Sequence, residues 1–251
     1  MARAAVLGRL TWRVASVVEV RAETATARTL LLDVPGWPGH LPGQHVDVRL
    51  TADDGYSTQR SYSIASAPGQ PTVDLTVEAV EEGEVSPYLT DVVGPGDEFE
   101  LRGPIGGWFV WRSDDPAPVL LVAGGSGIVP LMAMIRTRVA TGATAPFRLV
   151  YSVRTPESAI YADELHRLAA DGAVDVTLVH TRRSPTGSAR PPGRLDAALL
   201  ESVAWPATDA PAMFVCGPTG FVEAAATLLV AAGHDPARIK TERFGPTGGA
   251  R

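Results

Sequence analysis

Cysteine is almost absent from this chain. Cys216 stands alone among 251 residues. A single cysteine excludes an intrachain disulfide and a cysteine-ligated iron–sulfur cluster within the chain. Lysine is equally scarce: Lys240 is the only one, and arginine carries nearly all the positive charge. The formal net charge of -6 leaves no basic excess of the kind a general nucleic-acid binder needs. The five histidines are scattered and lack the spacing of a metal site. No apolar run approaches the roughly 18 residues of a membrane span. Met1–Leu10 holds Arg3 and Arg9 around a short apolar patch, too short for the apolar centre of a signal peptide. These absences lead us to expect a cytoplasmic protein with no membrane segment, no metal and no nucleic-acid partner.

What is present divides in two. From Trp12 to about Arg102 the sequence has the character of β-strands. Trp12–Val20, Thr29–Val34, His45–Leu50, Ser61–Ala65, Val73–Val80 and Glu98–Leu101 are short runs separated by glycine, proline and aspartate turns. Val46, Val48 and Leu50 alternate with Asp47 and Arg49, which gives one apolar face. Six closely spaced strands predict a six-stranded antiparallel barrel. One short helix near Ser86–Asp91 interrupts it, with Ser86 as candidate cap and Pro87 at the first helical position.

From Val119 the rhythm changes to strand–helix alternation. Val119–Ala123 is continuously apolar, as expected of a strand buried on both faces. Helices are predicted over Ile128–Val139, Ser158–Ala170, Leu195–Leu200 and Gly220–Ala232. Strands are predicted over Phe147–Val153, Val174–His180 and Ala212–Cys216. The pattern is that of an α/β domain with a parallel sheet. The polar, proline-containing Ser113–Pro118 is the natural join. Two domains are expected, residues 1–112 and 113–251.

Several segments could carry chemistry. Arg60 and Tyr62 share a strand face. The arginine can bind a phosphate, the tyrosine can cover a flat ring such as isoalloxazine, and Ser63 can hydrogen-bond a ring nitrogen. A solvated arginine beside a packed tyrosine fits the same tripeptide. Gly83-Glu-Val-Ser86 opens the short helix, where free N–H groups attract phosphate, or simply caps it. Arg102-Gly-Pro-Ile-Gly-Gly-Trp108 is a plain turn or a loop closing over a ligand. Gly124-Gly-Ser-Gly-Ile128 joins a strand to a helix, the geometry in which backbone amides approach a pyrophosphate. It is neither the GxGxxG fingerprint nor a P-loop. Cys216-Gly-Pro218 occupies a similar strand end, where a lone cysteine either touches a ligand or is a small buried hydrophobe. No GxSxG motif or nucleophilic dyad is present. Arg154, Thr181, Arg182 and Arg183 follow the second and third strands of the α/β half, at the sheet edge where such folds bind ligands.

Taken in order, Arg60-Ser-Tyr-Ser, Gly83-Glu-Val-Ser86, Gly103-Pro-Ile-Gly106, Gly124-Gly-Ser-Gly-Ile128, Cys216-Gly-Pro218 and Glu242-Arg-Phe244 resemble the ferredoxin–NADP reductase family. The resemblance spans about residues 12 to 246. It implies an FAD-binding barrel followed by an NAD(P)-binding α/β domain. It implies that Arg60, Ser61, Tyr62, Ser63, Thr76, Gly83, Glu84, Val85 and Ser86 hold FAD, with Arg60 on the phosphate and Thr76 acting through its backbone. It implies that Gly125, Ser126 and Gly127 cradle the phosphates of NADPH or NADH. Cys216, with Gly217 and Pro218, would then lie near the nicotinamide, and Glu242 and Phe244 near the flavin. Ser126 stands where the family often has threonine. Seven residues, Gly245–Arg251, follow Phe244, whose counterpart in plant-type members is a terminal aromatic; this glycine-rich tail is a candidate to reach over the flavin.

The resemblance implies hydride transfer at a centre defined by Ser63, Cys216 and Glu242. Arg154, Thr181 and Arg182 are expected to favour NADPH over NADH. Because a single cysteine cannot ligate a fused plant-type iron–sulfur cluster, the acceptor is expected to be a separate ferredoxin or oxygenase component. The alternatives are reduction of small acceptors (free flavin, ferric chelate, quinone) and a flavin-binding subunit of a larger complex.

Overall fold

Alternation decides the first half. In the computed structural model, which describes residues 10–245, Val46 and Val48 are fully buried while Asp47 and Arg49 remain in reach of water. Six strands result: β1 (Trp12–Ala22), β2 (Ala27–Asp33), β3 (His45–Thr51), β4 (Ser57–Ser63), β5 (Val73–Glu78) and β6 (Glu98–Ile105). All pair antiparallel, in the order β4-β3-β6-β1-β2-β5. A bridge between Ile64 and Leu75 joins the two edges and closes the sheet into a barrel. Leu30, Leu32, Val46, Val48, Leu75 and Leu101 fill it. Each such side chain contributes roughly 1.5–3 kcal/mol by leaving water.

The expected short helix is present: Ser86 and Pro87 are helical and run straight into a π-helical turn, Tyr88–Val92. Ser86 does not cap it. The Ser86 Oγ accepts a hydrogen bond from Val80 N at 3.1 Å, so the hydroxyl ties down the loop in front of the turn instead.

The second half is a parallel sheet in the order β11-β10-β7-β8-β9. Its strands are β7 (Val119–Gly124), β8 (Phe147–Val153), β9 (Asp175–His180), β10 (Ala212–Pro218) and β11 (Ile239–Phe244). Every residue of β7 is buried, as its unbroken apolar run requires. Four helices accompany the sheet: α1 (Ile128–Thr141), α2 (Ala162–Ala170), α3 (Ala197–Val203) and α4 (Thr219–Ala231). Helix α1 ends at Gly142, whose left-handed backbone (φ 65°) stops it.

Several bounds differ from expectation. β4 spans Ser57–Ser63 rather than Ser61–Ala65, and β6 continues through Arg102–Ile105, where a turn or loop is expected from the sequence. α2 begins at Ala162 rather than Ser158, because Pro156–Ser158 forms its own short turn and Tyr161 takes a left-handed backbone. α3 begins after Asp196, whose carboxylate accepts from Leu199 N at 2.9 Å, and runs on to Val203. Strand β11 was not anticipated. Its sequence, Ile-Lys-Thr-Glu-Arg-Phe, lacks the apolar run of a central parallel strand because it lies at the sheet edge.

Leu120 is fully buried in the cluster that packs β7 and β10 against α4. Leu120→Ala is expected to lower unfolding free energy by about 2–5 kcal/mol. Urea denaturation measures it, and a loss below about 1 kcal/mol would contradict this packing.

Candidate active site

The C-terminal ends of β7, β10 and β11 meet the end of β4. Parallel register sets Cys216 beside both Ala123 of β7 and Glu242 of β11. From the barrel, the Ser63 Oγ reaches Glu242 Oε1 at 3.4 Å. The three residues expected at the reacting centre therefore converge, although they come from three strands and two sheets. Burial pushes the Glu242 carboxyl up to about 7, and the Ser63 hydroxyl opposes part of that rise. Burial also pushes the Cys216 thiol well up, and the neighbouring Glu242 adds to it. Cys216 is thus a neutral, buried thiol, without the environment of an activated nucleophile.

On the barrel side, Arg60 is exposed on β4. Its guanidinium bonds only locally, to Gln59 O at 2.7 Å and Thr58 Oγ1 at 3.3 Å, through a single nitrogen. The rest of the fork is available to a phosphate. Ser61 gives its hydroxyl to Asp47 at 2.7 Å, and Asp47 in turn pairs with Arg102 at 2.6 Å. Tyr62 is half-buried against the barrel core, and burial pushes its phenol up to about 12. It stays neutral, as an aromatic surface for a ring must. Gly83 N bonds to Val80 O at 2.8 Å, Val85 packs into the barrel, and Glu84 is exposed near the Tyr56 hydroxyl at 3.3 Å. In this loop the Val85 side chain is spent on packing and the Gly83 N–H on Val80, while the backbone N–H groups of Glu84–Ser86 and the Ser86 hydroxyl proton are left for a ligand. The Thr76 hydroxyl is engaged, with Thr29 Oγ1 at 2.8 Å and with Tyr161.

On the α/β side, two glycines permit contacts that no other residue would. A Cβ on Gly127 would lie 2.2 Å from Cys216 O, so the start of α1 is pressed against the end of β10. A Cβ on Gly124 would meet the Phe221 ring at 2.6 Å. Gly125, with φ 53°, differs: a Cβ there would find only Glu78 Oε2, at 4.0 Å. Bare backbone thus borders open space at the N-terminal end of α1, where helix amides and dipole favour an anion. Gly217 is buried and Pro218 exposed beside it. Phe244 pairs in register with Pro218 and is 38% exposed. The tail after Gly245, like Met1–Arg9, lies outside the described residues.

Arg154 and Arg182 are joined through backbone, Arg182 N to Arg154 O at 2.9 Å, and both are exposed. Arg183 instead pairs with Glu157. The Thr181 hydroxyl turns to Val153 O at 3.3 Å and is not free for a ligand. Sequence reasoning gave His180 no role. It ends β9, and its Nε2 is buried with no hydrogen-bond partner among the described residues. The only signal for it was its place at a strand end on the ligand-binding edge.

A cavity of about 430 Å³, lined by Trp111, Arg112, Phe214 and Lys240, lies at the starts of β10 and β11 and is separate from this junction. Among the described residues no group of His, Cys, Asp or Glu could hold a metal ion. No described helix is long and apolar enough to cross a membrane.

Comparison with known proteins agrees with this division of labour. Residues 13–110 match the family model described as oxidoreductase FAD-binding domain, and residues 121–227 that of oxidoreductase NAD-binding domain. The chain is 36% identical over 238 residues to the glycine betaine monooxygenase reductase subunit of Pseudomonas aeruginosa, covering 92% of this chain and 63% of that protein. It is 34% identical to the ferredoxin reductase component of 3-ketosteroid-9-alpha-monooxygenase from Mycolicibacterium smegmatis, covering 91% of this chain and 64% of that one. The chain thus spans less than two thirds of the length of these relatives. Among solved structures, the flavohem-like FAD/NAD binding domain of nitric oxide dioxygenase from Vibrio cholerae superposes with a TM-score of 0.82 at 26% identity. That match covers 93% of this chain and 99% of the other.

Glu242 generates a pH prediction. Its carboxyl is held near 7 against an ordinary 4.5, so the folded state keeps a proton that the unfolded chain gives up. That stabilisation is complete below the unfolded value and is lost as pH rises through the folded one. Glu242→Gln should therefore flatten the fall in Tm between about pH 5 and pH 7. Thermal melts across that range test it, and an unchanged slope would contradict the buried carboxyl.

Proposed function

The chain belongs to the ferredoxin reductase-like family of FAD- and NAD-binding oxidoreductases, and from that premise we propose that it draws electrons from NADPH and passes them through FAD to a separate ferredoxin or oxygenase component. The observation that carries the proposal is the Ser63–Glu242 contact, in which the flavin motif of the barrel meets the ligand-binding edge of the sheet. The division into residues 1–112 and 113–251 belongs to the same proposal. So does action in the cytoplasm, where NADPH is made. The relatives' names, a monooxygenase reductase subunit and a ferredoxin reductase component, support the choice of acceptor.

FAD, when bound, accepts a hydride from the nicotinamide and releases the electrons one at a time. The chain's own residues bind, orient and exclude water. Arg60 neutralises the FAD phosphate, and the backbone of Glu84–Ser86 supplies further N–H donors, in a loop turned by Gly83. Tyr62 covers the ring, with Ser61 held to Asp47 beside it. The Ser63 hydroxyl is oriented by Glu242 and so presents a fixed dipole at the junction. Glu242, balanced near neutrality, can hold or release a proton next to that hydroxyl. Cys216, neutral and buried, keeps water from the same spot. Gly125, Ser126 and Gly127 bind the nicotinamide cofactor's pyrophosphate through backbone, with Gly217 and Pro218 forming the neighbouring wall. Phe244 shields the outer edge. Arg154 and Arg182 select the 2′-phosphate of NADPH, with Thr181 shaping their loop.

Ser63→Ala should retain flavin and slow its reduction by NADPH about 10²-fold, the cost of a misplaced reacting centre. Stopped-flow absorbance reads it, and a wild-type rate at normal flavin content removes Ser63 from the mechanism. Arg182→Ala should raise KM for NADPH roughly tenfold and leave NADH unchanged, since a bond to a charged group is worth about 1.5–3 kcal/mol. A wild-type preference for NADH would refute the phosphate assignment. Reduction of a purified ferredoxin should outpace reduction of free flavin, ferric chelate or quinone; the reverse order would make the chain a reductase of small acceptors.

A further inference from the structure

A second contact between the two halves is built from side chains with no part in the chemistry above. Tyr161, just before α2, is 3% exposed and has a left-handed backbone, φ 61° and ψ 26°. A bulky residue adopts that conformation at a cost of roughly 1–3 kcal/mol, and only where its surroundings hold it there. Its hydroxyl donates to Thr76 Oγ1 on β5. Thr76 Oγ1 lies 2.8 Å from Thr29 Oγ1, and the Thr29 hydroxyl donates to Glu23 Oε1 at 2.6 Å. A carboxylate only accepts. The protons must therefore run one way: Tyr161 to Thr76, Thr76 to Thr29, Thr29 to Glu23.

Arg136 of α1 covers the same ring, with its guanidinium carbon 4.8 Å from the Tyr161 centroid. It grips Glu164 of α2 at 3.0 and 2.6 Å and donates to Ala65 O at 2.8 Å. Ala65 lies two residues beyond Ser63. Thr76 lies two residues before Glu78, whose carboxylate borders the open space at Gly125. The contact therefore ties the end of the flavin motif and the neighbourhood of the nicotinamide loop to one rigid point.

We propose that Tyr161 and Arg136 are positioning residues that set the separation and tilt of the α/β half against the barrel, and hence the approach of nicotinamide to flavin. This rests on the flavin and nicotinamide assignment above. Neither residue touches the reacting atoms. A displacement of about 1 Å is enough to slow such a reaction by about 10²-fold.

The test compares flavin-loaded wild type with Tyr161→Phe and Arg136→Met. Flavin content and affinity for 2′,5′-ADP should hold within about twofold, while flavin reduction slows about tenfold or more. The long-wavelength charge-transfer absorbance between reduced flavin and NADP⁺ should weaken in step. In flavin-free protein, amide hydrogen exchange across Ile64–Ser66 should quicken. Arg136→Lys, which keeps the charge over the ring, should recover part of the rate and of the absorbance. If Tyr161→Phe does not fold, Thr29→Val cuts the same chain from the barrel side and carries the same readouts. Wild-type rate, absorbance and exchange in the variants would overturn the proposal, as would flavin loss with an unchanged rate per bound flavin. Wild type that takes up no flavin would instead sink the cofactor assignment itself.

Discussion

A carboxyl group that leaves water needs a partner, and Glu242 finds one in Ser63, across the junction between two differently built halves of the chain. Much else follows from bringing those residues together. Strand β11 must pair parallel with β10 so that Glu242 lies beside Cys216. The start of α1 must press against the end of β10, which Gly127 alone permits, because any side chain there would collide with the Cys216 carbonyl. Strand β4 must end at Ser63, and the barrel must close just after it through Ile64 and Leu75. Each half supplies one side of a junction that neither could form alone.

The junction is poor in charge and rich in half-satisfied polarity. Glu242 is balanced near neutrality, Cys216 is held neutral, and Tyr62 remains an un-ionised phenol. Formal charge is kept further out, on Arg60 along β4 and on Arg154 and Arg182 beyond β8 and β9. That separation keeps fixed charge away from the place where the proposed hydride, a proton with two electrons, would pass between two planar rings whose phosphates would be gripped elsewhere.

Much of the fold was legible because period and burial agree. Val46, Val48 and Leu50 alternate and line a barrel; Val119–Ala123 does not alternate and is buried on both faces. The failures have physical causes. β11 was missed because an edge strand need not be apolar, and Lys240 and Glu242 disguised it. The start of α2 was misplaced because nothing local announces that Tyr161 will adopt a left-handed backbone; it is held there by burial in the core, by Thr76, 85 residues away in sequence, and by Arg136. For the site, the family resemblance carried by the order of the motifs grouped Ser63, Cys216 and Glu242, as no single motif did, and the structure places the three side by side. Side-chain economy was invisible: Thr181 looks like a ligand donor in sequence, yet its hydroxyl donates to the protein's own backbone at Val153 O, while the Ser86 Oγ accepts from Val80 N and keeps its proton. His180, with an orphaned buried nitrogen, gave no motif at all.

The central claim is that the junction between barrel and sheet is where nicotinamide reduces a bound flavin. Its most direct test is the visible spectrum of the purified protein during anaerobic titration with NADPH. The account predicts a yellow protein whose flavin bands bleach with stoichiometric NADPH and return with air. A colourless protein that takes up no added FAD, or a bound flavin that NADPH and NADH both leave oxidised, would contradict it.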